Sequence, residues 1–166
     1  MTDECDKKIR YAYYKNKIHK YLNGETDISS LNEALISAAD SEYPRIVKLL
    51  LSAGIGVNCN ENPPAQKPCR TLMLNEVVKF GSLSMVKYLL KHGADPNLVD
   101  GMGSTALAGC AYEHAGVKVA KALIKAGADP YWKPDGGCSF MDMIKNQYYD
   151  ELAAWLKKHK KHIPNR

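Results

Sequence analysis

The chain has 166 residues, of which 45% are hydrophobic and 25% charged, and a formal net charge of +5. That is one domain's worth of material with an ordinary apolar fraction, long enough for a continuous core. No stretch approaches the roughly 18 apolar residues of a membrane span. Five cysteines (Cys5, Cys59, Cys69, Cys110, Cys138) are an odd number without a C-x-x-C pair. With no apolar N-terminal run, they read as reduced thiols in a cytoplasmic protein. The charge sits at the ends: residues 1–24 and 151–166 together carry +7, leaving −2 for residues 25–150. Such ends suit an acidic protein, a nucleic acid or an anionic membrane, or simply keep the body soluble.

Taken in chain order, Tyr11, Tyr14, Ile18, Tyr21 and Leu22 recur at helical spacing among Lys7, Lys8, Arg10, Lys15, Lys17 and Lys20. This predicts an amphipathic helix over 5–22 that covers an otherwise open apolar face. Ala34 to Ala39 is a short helical piece of small apolar residues, followed by a stronger helix from Arg45 to Ser52 that ends at Gly54. The run Asn58–Arg70 has three prolines and no periodicity, so it reads as a loop. Leu74 to Val78 and then Ser84 to His92 repeat the pair, with Met85, Val86, Leu89 and Leu90 on one face and Gly93 as terminator. Thr105 to Ala108 and Val117 to Lys125 repeat it again, ending at Gly127. A degenerate fourth unit opens at Gly137-Cys138-Ser139-Phe140-Met141, with its second helix at Glu151–Lys157.

Gly93-Ala94-Asp95-Pro96 and Gly127-Ala128-Asp129-Pro130 stand 34 residues apart, with Gly54-Ile55-Gly56-Val57-Asn58 as a weaker copy. This period is that of a solenoid of helix pairs. Asp100-Gly101-Met102-Gly103-Ser104-Thr105-Ala106-Leu107 and Val47-Lys48-Leu49-Leu50-Leu51 resemble the opening and the second-helix run of the ankyrin repeat, with Ala106 in place of Pro and Ala108 in place of His. The resemblance covers about residues 28–158. It implies an all-α solenoid of about four helix-loop-helix repeats, at about 28–58, 71–97, 100–131 and 134–158. An inserted loop occupies 58–71, a basic capping helix 1–27 and a basic tail 159–166. One extra residue in Glu113-His114-Ala115-Gly116 should bulge the loop of the third repeat.

Chemistry is sparsely encoded. Gly101-Met102-Gly103-Ser104-Thr105-Ala106 fits a loose dinucleotide pattern, but Asn97-Leu98-Val99-Asp100 is too short and polar for the strand that pattern needs. No Lys completes a phosphate-binding loop. His159 and His162 lie in a Lys-rich tail, and Cys59 and Cys69 share a loop without His, so no four-ligand metal set is apparent. Cys110 falls at a small-residue core position, an inert buried thiol. The sequence therefore predicts no enzyme, no cofactor and no metal. The tail Lys157–His162 lacks aromatic interleaving for base stacking, which disfavours nucleic acid.

The resemblance places partner binding on the concave face, at the fingertips and the exposed ends of the first helices. Carried over position by position, this face contains Arg70, Lys79, Phe80, Met102, Ser104, Tyr112, Glu113, Tyr131, Trp132 and Lys133. Phe80 and Tyr112 are rings where a neutral scaffold would be polar, Trp132 sits in a loop with no obvious core duty, and aromatic and Arg residues are typical interface anchors. The expected function is non-covalent binding of one partner protein, occluding it as an inhibitor, immunity protein or effector would; as an effector it would act in a host cytoplasm. The free chain is expected to be monomeric. The alternatives are a two-faced adaptor, or a binder of nucleic acid or anionic membrane through the basic ends.

Overall fold

The computed structural model describes residues 3–26, 31, 34, 37–38, 44–58, 72–79, 81–112, 116–134, 136–145 and 150–159. Every regular element among them is helical: α1 (Asp3–Leu22), α2 (Pro44–Ser52), α3 (Met73–Lys79), α4 (Leu83–Lys91), α5 (Ala106–Tyr112), α6 (Val117–Lys125), α7 (Phe140–Lys145) and α8 (Asp150–Lys158). Leu31, Ala34, Ser37 and Ala38 are helical too, and Leu31, Ala34 and Ala38 are buried. The helices form two layers. In one, α3 packs on α5 and α5 on α7; in the other, α4 packs on α6 and α6 on α8. Within a unit α3 meets α4 and α5 meets α6, while α1 packs on α2 at the start of the stack.

The second helix of each unit buries the same register of residues. Ile46, Val47 and Leu50 of α2 correspond to Met85, Val86 and Leu89 of α4, and Val119, Ala120 and Leu123 of α6 follow. In α8 the pattern thins to Leu152 and Leu156. These stripes join one continuous core running through the units. The first helices carry small residues where the layers approach. A Cβ added at Gly109 of α5 would meet Val78 Cγ1 of α3 at 3.5 Å, ordinary contact distance, so the two backbones lie close.

The second helices α2, α4 and α6 stop in the same way. Gly54, Gly93 and Gly127 adopt φ of 87°, 88° and 95°, a region that costs an L side chain roughly 1–2 kcal/mol. The glycine N–H donates to Leu51, Leu90 or Ile124, and the next N–H (Ile55, Ala94, Ala128) donates to Leu50, Leu89 or Leu123. This is the paired C-terminal bonding that satisfies the last carbonyls of a helix. Its apolar contact is also present, because Ile55, Ala94 and Ala128 are buried beside fully buried leucines.

Polar bonds then tie one unit to the next. Asn58 donates from Nδ2 to the Gly93 carbonyl (3.0 Å) and accepts at Oδ1 from the Asp95 N–H (2.8 Å). Asn97 does the same one unit on, with Gly127 (2.9 Å) and Asp129 (2.8 Å). Asn58, which spacing puts at the start of the inserted loop, thus holds the same place in its unit as Asn97. Residues 59–71 of that loop and the expected bulge at Glu113–Ala115 lie outside the described residues.

The fingertip of the third unit is held from both sides. Asp100 Oδ1 accepts from the Met102 and Ser104 N–H groups, each at 2.9 Å. Asn75, buried in α3, donates to Asp100 Oδ2 and to the Ser104 carbonyl, each at 3.0 Å. The glycines of the loose dinucleotide pattern belong to this turn, and the amides of Met102 and Ser104 are spent on Asp100 rather than open to a pyrophosphate. Thr105 and Ser139 open the helices that follow. Thr105 Oγ1 accepts from Ala108 N–H, and Ser139 exchanges bonds with Asp142 as a capping pair.

The N-terminal helix forms, but its packed face is narrower than the sequence pattern suggests. Ile18 is buried and Tyr14 and Tyr21 are half-buried against the core. Tyr11 and Leu22 are 40% and 65% exposed. At 3.6 residues per turn they lie about 60° around the helix from the Tyr14–Ile18–Tyr21 line, which packs against the core.

Two stability outcomes follow. Asn97→Ala removes the two Asn97 side-chain bonds that join the second unit to the third and should lower stability by about 1–2 kcal/mol in urea unfolding, while Lys91→Ala on the exposed side of α4 stays within about 0.5 kcal/mol of the parent. Asn75→Leu leaves Asp100 Oδ2 without its donor and should cost about 1–3 kcal/mol, with faster hydrogen exchange at the Met102 and Ser104 amides.

Candidate functional site

The fingertip of the third unit is built by the bonds just described, so its backbone is held before any partner arrives. Met102 stands at the tip of the third unit and is 87% exposed, the most exposed large apolar side chain among the described residues. Its neighbour Ser104 is half-buried, with its main chain bonded to Asp100 on both sides, and its hydroxyl turns toward the Thr105 carbonyl at 3.4 Å.

The next fingertip runs Tyr131-Trp132-Lys133-Pro134. Tyr131 is 37% exposed, Trp132 half-buried and Lys133 exposed. Tyr131 occupies the position that Asn58 and Asn97 hold in the earlier units, and its N–H donates to Asp129 Oδ1 at 2.8 Å as the Asn97 N–H does to Asp95. The asparagine series therefore ends in a ring, at the unit after which no Gly-Ala-Asp follows. The two tips are adjacent: a Cβ built on Gly103 would lie 3.9 Å from Pro134 Cβ. The structure thus brings Met102, Ser104, Trp132 and Lys133 into one neighbourhood.

Lys79 ends α3 on the same layer of first helices, with its amine 2.6 Å from Glu76 Oε1. Tyr112 is the last residue of α5, and the position of its side chain is not among the described ones. Arg70, Phe80 and Glu113 lie outside the described residues altogether.

Cys110 is buried in the core, and burial pushes its thiol up to about 12, so it stays protonated at neutral pH. Cys5 and Cys138 are exposed free cysteines. Among the described residues no group of three His, Cys, Asp or Glu converges as a metal site would require, and no helix is long and apolar enough to cross a membrane.

Two features of the structure escaped the sequence pattern. Asn75 is a polar residue inside an apolar run, which hints at a buried partner but cannot name Asp100, 25 residues away. The second is a pair of ring stacks on the second helices, Tyr88 on His92 and Trp155 on His159, with centroids 4.1 Å and 4.5 Å apart. In each pair the imidazole Nδ1 donates to the ring residue's own carbonyl one turn back. Aromatic and His at i, i+4 on corresponding helices was the available signal.

Comparison with known proteins supplies the family. A family profile described as "Ankyrin repeats (3 copies)" matches residues 35–133. The chain is 32% identical over 132 residues to an ankyrin repeat protein of fowlpox virus (strain NVSL), covering 77% of this chain and 17% of that protein. It is 34% identical over 125 residues to the E3 ubiquitin-protein ligase Ufd4 of Drosophila melanogaster, covering 74% and 4%. It is also 30% identical over 138 residues to zygote-specific protein 3 of Chlamydomonas reinhardtii, covering 83% and 31%. The chain therefore spans less than a third of each of these relatives. Ankyrin repeats are protein–protein interaction modules, generally without catalysis. With the repeat register, the glycine-terminated second helices and this profile in agreement, the chain belongs to the ankyrin-repeat family.

Proposed function

We propose that this protein binds one partner protein on the concave face made by its fingertips and first helices, and inhibits it by occluding the bound surface. The observation that carries the reading is the tip of the third unit: Met102, 87% exposed, stands on a turn fixed by Asp100 and Asn75. A large apolar side chain held in the open on an ordered backbone loses little conformational freedom on binding, and that is what makes a fingertip an effective anchor. Trp132 and Tyr131 on the neighbouring tip add ring surface, and Lys133 and Lys79 add cationic rims. Aromatic anchors at the centre of a contact, ringed by polar groups, have the composition of an interface hot spot. Phe80, Tyr112, Arg70 and Glu113 would extend the same face, by their position in the repeat.

Occlusion is the mode that one rigid face supports. The segments matched in the fowlpox virus and ubiquitin ligase relatives are 17% and 4% of far longer chains, so the role proposed here concerns the 166 residues alone.

The test compares the parent with Met102→Ala/Tyr131→Ala/Trp132→Ala. These substitutions lie on the tips and should leave the helical circular dichroism unchanged. One stoichiometric protein retained by the parent should be lost at least tenfold by the variant, a change of about 1.4 kcal/mol or more. The partner's own activity, assayed with and without the parent chain, should fall on binding. Equal retention by the variant sinks the concave-face site, and binding that leaves the partner fully active sinks the inhibitor role.

A further inference from the structure

The outer surface of the stack is formed by the second helices, and its charge is one-sided. Arg45 and Lys48 on α2, Lys87 and Lys91 on α4, and Lys118 and Lys125 on α6 are exposed, with Lys121 half-buried between them. No acidic residue occurs on α2, α4 or α6. Only α8 contains acids, Asp150 and Glu151, beside Lys157 and Lys158.

At the α6–α8 joint the structure shows how this surface takes a carboxylate. Lys121 Nζ lies 2.7 Å from Glu151 Oε1 across the two helices, and the ammonium groups of Lys121 and Lys125 sit 5.8 Å and 5.9 Å from the Trp155 ring centroid. The hydrogen bond and charge of Lys121, with Lys118 behind it, hold the Glu151 carboxyl below the usual carboxylate range. One unit earlier the same register sets Lys87 of α4 in the place of Lys121, and Lys118 of α6 in the place of Glu151. One unit earlier again it sets Lys48 against Ser84. The cross-helix ion pair thus becomes two cations at the α4–α6 joint. Among the described residues no carboxylate pairs with Lys87, Lys91 or Lys118 within salt-bridge distance.

We propose that the outer face of α4 and α6 is a second docking surface that binds an acidic polypeptide segment, whose carboxylates take beside Lys87, Lys91 and Lys118 the place Glu151 takes beside Lys121. The chemistry of the surface favours this occupant. Its cations are the five lysines Lys87, Lys91, Lys118, Lys121 and Lys125, whereas bidentate phosphate recognition selects arginine. Tyr88 and Trp155 each have one ring face covered by their own histidine, which leaves a poor platform for unpaired bases. The exposed large apolar side chains among the described residues are Ile9, Tyr11, Tyr13, Leu22, Met102 and Tyr131, none of them on a second helix, so a bilayer finds no apolar anchor there. This face is separate from the concave one, so the chain could hold an acidic segment and a concave-face partner together.

The probe is a fluorescein-labelled 12-residue oligoglutamate peptide, titrated with the full chain and read by anisotropy at low and physiological salt. Lys87→Gln/Lys118→Gln should weaken binding about threefold to tenfold, as loss of two exposed ion pairs implies. Lys15→Gln/Lys17→Gln removes the same charge from α1 and should leave binding within error of the parent. So should Met102→Ala/Tyr131→Ala/Trp132→Ala, which separates this surface from the concave site. Carbodiimide coupling of the peptide, followed by mapping, should mark Lys87, Lys91 or Lys118. Equal losses in the two lysine variants, coupling confined to α1, or tighter binding to an oligothymidylate of equal length or to phosphatidylserine vesicles would each overturn the proposal.

Discussion

The structure depends on how the second helices α2, α4 and α6 end. A glycine at positive φ lets the chain turn back on itself, and the residue after it buries against a leucine one turn into the helix: Ile55 by Leu50, Ala94 by Leu89, Ala128 by Leu123. That junction satisfies the last carbonyls and seals the core at the base of the turn. It also presents the glycine carbonyl and the following Asp N–H in a fixed orientation, and the asparagine of the preceding unit grips both. Local helix termination and coupling between units are thus one arrangement. A stack built this way has stability that is roughly the sum of units and their joints, and a damaged joint weakens the neighbours on both sides.

The same repeat sorts charge by depth in the stack. Asp95, Asp100 and Asp129 are consumed in the turns, where each accepts backbone N–H groups at 2.8–2.9 Å. The lysines fall on the outward stripe of the second helices, opposite the buried leucines. Among the described residues, three carboxylates are thus engaged in turns while the lysines of α4 and α6 line one face. A partner meets the arrangement of these groups in space, and a field of one sign over a face several helices wide steers an acidic partner more strongly than the net charge suggests.

Most of the fold was legible because it is local. The period, the glycine terminators and the apolar stripes each operate within one unit, so α2, α4, α6 and α8 begin and end within a residue or so of where their patterns place them. Where the pattern misled, the cause lay between elements. Tyr11 and Leu22 fit an apolar face on α1, yet both stand in solvent beside the packed line of Tyr14, Ile18 and Tyr21. Asn75 breaks an apolar run without explanation until the fold sets it beside Asp100. On the candidate site, spacing located the tips that display Met102, Tyr131 and Trp132, but the nearness of Gly103 to Pro134, which joins the two tips, depends on how the units pack.

The sequence by itself determined the second helices and their glycine terminators, because hydrophobic period and glycine conformation are properties of a few consecutive residues. Only the tertiary structure decided which charges meet. Lys121 finds Glu151 across 30 residues of chain, whereas Lys87 is set opposite another lysine. That difference arises from the register of stacked helices, in which each side chain's neighbours come from the next unit rather than from its own.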